Sequence, residues 1–490
     1  MVRLSFMISS SKGIILLLFS LLGQNAAAID AQFRYCTFQQ PGKSPYIETY
    51  LSINSRSLAF VKVGPNSFQG AIEVTIDFSR NDTIVAYDKY TLRSPVIDST
   101  TNNNFAFLDL QRFRLPAGTY KMQLHIVDKA DTSNHATAKE DIVVEQKGGF
   151  SFSDIMLVNK INPASKSSPL TRGGLDLEPR PSAFFGNGQD TLSYYFELYG
   201  SNQLAPDSLV VVRSWVEKVD GDIVPNTSRF YKRTPKDIIA IADAFLIDEV
   251  PSGNYKIQLE ARNRENELIA SKSFLIQRMN TQIKFDESKV LAAQLGGSFV
   301  DKFTRAELVN NIRSMRPISQ FMEREYADNL LNNKDVDDEL LKRYMLTFWE
   351  KRDANSPRGA WELYNQQVNN ANQLFSSKIT KGYETDRGRV YLQYGAPNSR
   401  TVVDNEPSAY PYEIWWYYEY QGQRNIRFVF YNPDMVTNDY QLLHSEALGE
   451  TFDPQWRLII FSRTTAFQNL DDTQNRDHFG TRLEENFRNQ

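Results

Sequence analysis

The string PAGTYKMQL at residues 116–124 returns 135 residues later as PSGNYKIQL at residues 251–259. In both copies Pro and Gly favour a turn, and Tyr then leads a strand in which apolar and polar residues alternate. A Tyr at such a corner can place its ring in a core and donate its hydroxyl to nearby backbone. The match predicts duplication of one immunoglobulin-like or fibronectin-like β unit. The alternative is one larger β domain in which the string recurs by chance.

Short runs rich in Val, Ile, Tyr, Phe and Thr surround both strings, and turn residues separate these runs. Such spacing is typical of two-layered antiparallel β domains. We therefore predict β-sandwich domains at residues 29–147 and 148–278. The predicted strands are 46–53, 71–78, 105–110, 120–127 and 141–144 in the first domain, and 191–198, 209–219, 244–247, 255–260 and 272–276 in the second.

The pattern becomes helical after the second domain. Residues 304–315, 318–332 and 336–350 space their apolar positions by three and four, which predicts helices in a connector at 279–344. Thr304 with Glu307 forms a capping-box pattern. A further helix begins near Pro357, since Pro is favoured in a first helical turn. Its aromatic and apolar residues share one face and are interpreted as core: Trp361, Tyr364, Val368, Ala371 and Phe375.

Residues 345–470 are predicted to form an α+β domain, with a polar tail at 471–490. Alternation predicts strands at 389–394, 408–420 and 426–430, the last two joined as a hairpin through 421–423. The predicted fold is therefore multidomain: two all-β sandwiches, a helical connector and a C-terminal helix packed on a small antiparallel sheet.

Residues 1–28 have the order of a secretory signal peptide. Arg3 and Lys12 precede the apolar run 14–22, and Ala26 to Ala28 supply small residues for cleavage. The run is too short for a membrane anchor, and we expect no transmembrane segment after its removal. Cys36 is interpreted as a buried residue of the first strand.

Composition excludes several function classes. The formal net charge of −4 argues against a nucleic-acid binder. A single Cys excludes an internal disulfide framework and Cys-based metal sites, and four His make a multi-His centre improbable. No sequence feature suggests a cofactor. His444, in the segment Leu442 to Ser445, is interpreted as a hydrogen-bonded structural residue.

The segment GYETDRGRVY at 382–391, followed by YGAP at 394–397, resembles the GWxTD domain family. The resemblance extends back to FWEKRD at 348–353 and forward to YEIWWY at 412–417, and the signature Trp is Tyr383 here. It implies an exported envelope protein of Bacteroidota or related Gram-negative bacteria, in the periplasm or associated with the outer membrane. It supplies no catalytic residue.

Three interpretations of the signature remain open. In the first, Thr385 and Asp386 fix a rigid turn between helix and strand, and Arg387 and Arg389 pair with carboxylates such as Asp386, Asp353 or Glu413. In the second, Tyr383, Thr385, Asp386, Arg387 and Arg389 form a recognition site for a peptide or glycan. In the third, Asp386 is catalytic.

Aromatic residues are concentrated between 410 and 431. On a strand, Trp416 and Tyr418 share one face and Trp415 the other. Either both faces are buried, or the outer face is a docking patch for a protein or sugar. The candidate binding residues in this segment are Trp415, Trp416 and Tyr418.

Two functions follow as hypotheses. The first is a non-enzymatic interaction or scaffold protein of the cell envelope, an accessory in envelope assembly or secretion, with envelope proteins or glycan as partners. The alternative is an envelope hydrolase or glycan-binding enzyme that uses Asp386 with a second carboxylate such as Asp353.

Overall fold

The computed structural model describes residues 29–40, 42–98, 104–146, 148–203, 209–219, 221–421, 423–453, 456–463 and 481–488. The predicted signal peptide lies outside these residues. The protein is mostly antiparallel β-sheet, and its helices lie in the C-terminal part.

In the part of the first β module that the structure describes, eight strands form two sheets. One sheet has the order β1-β2-β6, and the other has the order β3-β4-β7-β8 with β5 beside β4. Apolar residues of both sheets share one buried core. The strands are β1 Ala31–Phe38, β2 Tyr46–Asn54, β3 Phe60–Gly64, β4 Ser67–Arg80, β5 Thr83–Arg93, β6 Ala106–Arg114, β7 Gly118–Asp128 and β8 His135–Val144.

The second module again has two sheets over one core. Their orders are β11-β12-β10-β14-β17, with β9 beside β14, and β13-β19-β18-β15-β16. The strands are β9 Ser151–Phe152, β10 Met156–Pro163, β11 Thr171–Arg172, β12 Leu175–Pro179, β13 Phe184–Phe185, β14 Thr191–Tyr199, β15 Val210–Lys218, β16 Arg229–Arg233, β17 Ile238–Leu246, β18 Gly253–Arg262 and β19 Leu268–Arg278.

The repeated strings adopt the same local structure in both modules. Tyr120 opens β7 and donates its hydroxyl to the Pro116 carbonyl at 2.7 Å. Tyr255 opens β18 and donates to the Pro251 carbonyl at 2.9 Å. Both rings are buried. The expected Tyr corners are confirmed.

A buried joint connects the two modules. Cys36, on β1 as expected, is buried there beside Phe38. The Arg172 guanidinium stacks on Phe38 at 4.2 Å and forms ion pairs with Glu48 and with Glu197, the latter at 3.3 Å. Burial alone would lower the pKa of Arg172, but Glu48 and Glu197 are among the groups that hold it above its ordinary value. Charge pairing and apolar contact therefore act at one interface.

The C-terminal part contains eight helices and a four-stranded antiparallel sheet of order β20-β21-β22-β23 among the described residues. The expected capping box is confirmed, since Thr304 and Glu307 exchange hydrogen bonds at the start of α2. The elements are α1 Ser288–Ala292, α2 Arg305–Ser314, α3 Phe321–Asn332, α4 Asp338–Arg352, α5 Pro357–Phe375, α6 Asp386–Tyr394, β20 Ser399–Val403, β21 Tyr412–Tyr420, β22 Gln423–Tyr431, β23 Gln441–Ser445, α7 Trp456–Ile460 and α8 Leu483–Arg488.

The sheet is covered on both faces. The expected apolar face of α5 is confirmed: Val368, Ala371 and Phe375 are buried against the inner face of the sheet. On the outer face, α7 and α8 cover a second apolar cluster. Although 471–490 is a polar stretch, Leu483 and Phe487 within it are buried.

Candidate functional site

The signature segment begins a helix. Thr385 is the N-cap of α6, and its hydroxyl accepts from the Gly388 N–H at 3.1 Å. Asp386 then occupies the first turn, where the helix dipole favours a carboxylate. The predicted strand at 389–394 is therefore wrong. Six alternating residues are too few to distinguish a strand from a helix, and the N-cap at Thr385 is the signal that favours a helix.

The signature glycines are required by close packing. A Cβ on Gly382 would overlap with the Ala371 carbonyl of α5, and a Cβ on Gly388 would overlap with the Gly382 carbonyl. Neither glycine has a positive φ. The two glycines therefore allow α5, the 382–384 turn and α6 to approach one another.

Arg387 crosses from α6 to the inner face of the sheet. Its guanidinium donates to Glu413 Oε1 at 2.5 Å and to the Asn438 carbonyl at 2.5 Å. Arg400 donates to both Glu413 oxygens at 2.9 and 3.0 Å, and Trp415 Nε1 adds a bond at 2.8 Å. Burial would raise the pKa of Glu413, but the two arginines lower it below its ordinary value. The expected Arg387–Glu413 pairing is confirmed.

Arg389 pairs with Glu450, which was not among its expected partners. The two groups form a bidentate contact at 2.7 and 2.8 Å, and the Tyr394 hydroxyl donates to Glu450 at 3.0 Å. Burial lowers the pKa of Arg389, and Glu450 more than reverses this effect. This contact fixes the loop that follows β23 against α6.

The two candidate acids, Asp386 and Asp353, accept hydrogen bonds from the backbone of different segments. Asp386 accepts from the Leu442 N–H at 2.7 Å. Asp353 accepts from the N–H groups of Asn355 and Ser356, both at 3.0 Å. Each carboxylate therefore fixes backbone in a different segment.

The candidate aromatic residues are mostly enclosed. Tyr383 is buried and donates to Asn310 of α2 at 3.1 Å. Trp415 lies in the inner core, and Trp416, on the outer face, lies beneath Arg427 at 5.4 Å. Tyr418 alone of these four is exposed, at 52%. Both faces of β21 are buried from Tyr412 to Tyr417, in agreement with the interpretation that they are core.

Sequence reasoning missed the partners Glu450, Asn438 and Arg400. One signal was available, because Glu413 lies two residues before Trp415 and therefore shares its face of the strand. A carboxylate at a buried position requires cationic or hydrogen-bond partners. The identity of those partners depends on the register Arg400↔Trp415 and on a contact 51 residues away in the chain, to Asn438.

Arg387 also supports two exposed loops beside the signature. Asn438, which it binds, donates to the carbonyls of Leu374 and Ser376 at 3.4 Å, so the loops lie side by side. We call the exposed apolar residues of these loops, together with Leu374 at the end of α5, the loop face: Leu374 51%, Ile379 94%, Met435 53% and Val436 89% exposed. Asp434 stabilises the second loop by accepting from the N–H groups of Val436 and Thr437 at 2.9 and 3.0 Å.

An open crevice of 650 Å³ lies between the two β modules and is lined by residues such as Glu145, Ser151 and Lys272. No residue of the signature lines it. Within the described ranges, no group of three or more His, Cys, Asp or Glu is arranged to hold a metal ion. No helix there has the length and apolar character needed to cross a membrane.

Comparison with known families gives one clear match, in which the GWxTD domain model aligns with residues 297–458. The match begins within the predicted connector. No curated protein matches the chain.

Solved structures share only weak similarity with it. Red sea bream transglutaminase is 8% identical, with a TM-score of 0.17, over 52% of this chain and 31% of that one. Bacteroides uniformis β-glucuronidase is 9% identical, with a TM-score of 0.17, over 59% and 38%. Fibronectin(III)-like modules of Clostridium thermocellum CbhA are 12% identical, with a TM-score of 0.14, over 52% and 98%. This chain spans about a third of the length of the first two proteins. Scores of this size carry no argument about fold or activity.

Proposed function

The chain is a GWxTD domain-containing protein, and we propose that it is a non-enzymatic interaction or scaffold protein of the Gram-negative cell envelope. In this proposal it is exported by the signal sequence at residues 1–28 to the periplasm or the outer membrane of a Bacteroidota-type cell. It would serve there as an accessory in envelope assembly or secretion. Its two β modules would act as immunoglobulin-like sandwiches that space the GWxTD domain, which is consistent with two sheets sharing one core in each.

One observation carries the proposal: signature side chains are engaged in holding the loop face in place. Arg387 is 1% exposed, and its guanidinium is divided between Glu413 and Asn438. Burying a cation is unfavourable unless its partners are well aligned, so this arrangement favours one loop conformation. A loop held in one conformation loses less entropy when it binds a partner.

The loop face has the character of a protein-binding surface. Val436 and Ile379 are almost fully exposed, although burial of apolar side chains is favourable. Exposed apolar residues grouped on neighbouring loops of a rigid scaffold are typical of interaction sites. We therefore assign the envelope partner to this surface, in place of the buried aromatic residues Trp415 and Trp416.

The test is crosslinking of the full chain in its native envelope, followed by recovery of bound proteins. We expect the double variant Ile379→Asp/Val436→Asp to recover at least fivefold less partner than wild type, with unchanged thermal unfolding. Leu363→Asp is the matched control, because Leu363 is 66% exposed on α5 and outside the loop face. Equal recovery from the double variant and the control would contradict the proposal.

The enzymatic alternative receives less support. Asp386 and Asp353 each bond to backbone N–H groups of separate segments, whereas glycosidase chemistry needs two acids flanking one bond. Hydrolysis of an envelope polymer by the purified protein, abolished in Asp386→Asn, would favour the alternative over the scaffold proposal.

A further inference from the structure

The outer face of the C-terminal sheet forms an apolar groove occupied by the end of the chain. The groove floor consists of buried residues from β21, β22, β23 and α7: Tyr412, Ile414, Val429, Leu443, Trp456 and Ile460. Leu483 and Phe487 of α8 are buried against this floor. The Phe487 ring lies 4.8 Å from the Trp456 ring. This is the arrangement of an amphipathic helix in a hydrophobic groove.

Polar groups bind both ends of the occupant. At the start of α8, Glu406 Oε1 accepts from the N–H groups of Arg482 and Leu483 at 2.8 and 3.1 Å. At its end, Arg427 donates to the Phe487 carbonyl at 2.9 Å and stacks on the Phe487 ring at 4.0 Å. A carboxylate at the helix start and a guanidinium at its end match the helix dipole.

A third polar contact lies midway, where Asn486 donates to the Tyr412 hydroxyl at 3.1 Å. Glu406 itself is only 6% exposed, and Tyr412 is fully buried. The groove thus recognises Leu at one position, Asn three residues later and Phe four residues later. It also fixes the direction of the helix.

The occupant is joined to the domain through residues 464–480, which lie outside the described residues. Seventeen residues can span at most about 56–61 Å. That length exceeds the width of a small domain, so the segment 481–488 of one molecule can reach the groove of a neighbour.

We propose that the groove also accepts residues 481–488 of a second copy of this chain, so that two copies exchange their C-terminal helices. A second copy carries the complementary segment by identity, and reciprocal exchange gives a closed twofold dimer. Because residues 464–480 connect α8 to its own domain, α8 is present at a high effective concentration near the groove of the same molecule. In dilute solution each groove is therefore filled by the helix of its own chain, which we call closure in cis. The inference is independent of the proposed function, since it needs neither the loop face nor an envelope partner.

The test uses two full-length variants, neither of which can close in cis. Leu483→Asp/Phe487→Asp keeps the groove and disables the helix, whereas Glu406→Ala/Arg427→Ala keeps the helix and disables the groove. Each variant alone should remain monomeric by light scattering. A mixture of the two variants, in which the first supplies the groove and the second supplies the helix, should give a species of twice the chain mass at high protein concentration.

Each variant alone at the same concentration is the matched control, because it lacks either the intact helix or the intact groove. If both variants are folded, as verified by near-ultraviolet circular dichroism, and never pair with each other, the proposal is overturned. If either variant does not fold, a labelled peptide of residues 481–490 is titrated into the full-length Phe487→Ala chain, whose own helix binds the groove more weakly. We expect the Phe487→Ala peptide to bind at least tenfold more weakly. Absence of binding by the unmodified peptide up to millimolar concentration would also overturn the proposal.

Discussion

The two faces of strand β21 differ in what closes them. Glu413, Trp415 and Tyr417 face inward, where α5 and α6 cover them. Tyr412 and Ile414 face outward, where α7 and α8 cover them. The inner cover lies wholly within the GWxTD match at 297–458, and α8 lies beyond its end.

We therefore expect the inner face to remain closed in the folded domain, whereas part of the cover of the outer face can detach. The inner face contains a buried carboxylate held by two arginines, and removing one partner leaves an uncompensated charge. Part of the outer face is covered by α8, a helix of six residues, and such a short element can detach as a unit. Stability of the domain should therefore depend more on the inner face.

The largest effect is expected for Glu413→Gln. The Arg387 guanidinium would remain buried without its anion, and the free energy of unfolding should fall by about 3–5 kcal/mol. Urea denaturation measures the loss. Glu419→Gln is the control on the same strand, because its pair with Arg424 is 3.8 Å long and exposed. The control should change stability by less than about 0.5 kcal/mol. Similar losses in both variants would remove the distinction.

The second largest effect is expected for Gly388→Ala, which should lower the free energy of unfolding by about 3 kcal/mol. The added methyl group overlaps with the Gly382 carbonyl, so α6 must move away from α5. Gly296→Ala, where a Cβ would meet no atom within 4 Å, should be nearly neutral. Thermal unfolding of both variants compares them. If Gly388→Ala leaves the unfolding temperature unchanged, the inner face tolerates a wider separation of α5 and α6.

The two faces should also respond to different pH ranges. His444, beneath the outer groove, accepts from the Asp453 N–H at 3.2 Å, which confirms the structural interpretation. Burial lowers its pKa from 6.5 to about 4. The unfolded chain therefore binds a proton first as pH falls from 6.5 to 4, and stability should decrease by up to about 3 kcal/mol over this range.

His444→Gln should remove this part of the pH dependence when urea midpoints are compared at pH 6.5 and 4. The folded protein lowers the pKa of Glu413 below its unfolded value of 4.5. Ionised Glu413 therefore stabilises the fold fully above pH 4.5, and this stabilisation is lost only as pH falls below that value. An unchanged slope between pH 6.5 and 4 in His444→Gln would contradict the assignment to His444.

The smallest of these effects is expected for Phe487→Ala, at about 1–2 kcal/mol. A buried Phe normally contributes more, but a helix as short as α8 can leave its groove while the rest of the domain stays folded. Hydrogen exchange should show faster exchange at Arg482 and Leu483, whose N–H groups bond to Glu406. Exchange that is accelerated equally across β21 would show that the outer closure is part of the core.

Local signals in the sequence predicted much of this architecture. The Pro-x-Gly-x-Tyr strings identified both Tyr corners, and the Thr304 and Glu307 pattern identified the start of α2. The strand predicted at 389–394 was wrong because its short alternation fits a helix equally well. The partners Arg389–Glu450 and Arg172–Glu48 could not be predicted, because they join residues 61 and 124 positions apart.

The sequence by itself determined the β modules, the helical segments before the signature and the location of the aromatic strand, because turn chemistry, caps and periodicity act over a few residues. Only the tertiary structure decided that Arg387 and its partner Glu413 are buried, that the loops of Ile379 and Val436 expose apolar side chains, and that the polar C-terminal stretch closes a groove. These outcomes depend on which distant segments meet, and sheet register and packing set those contacts after the local elements have formed.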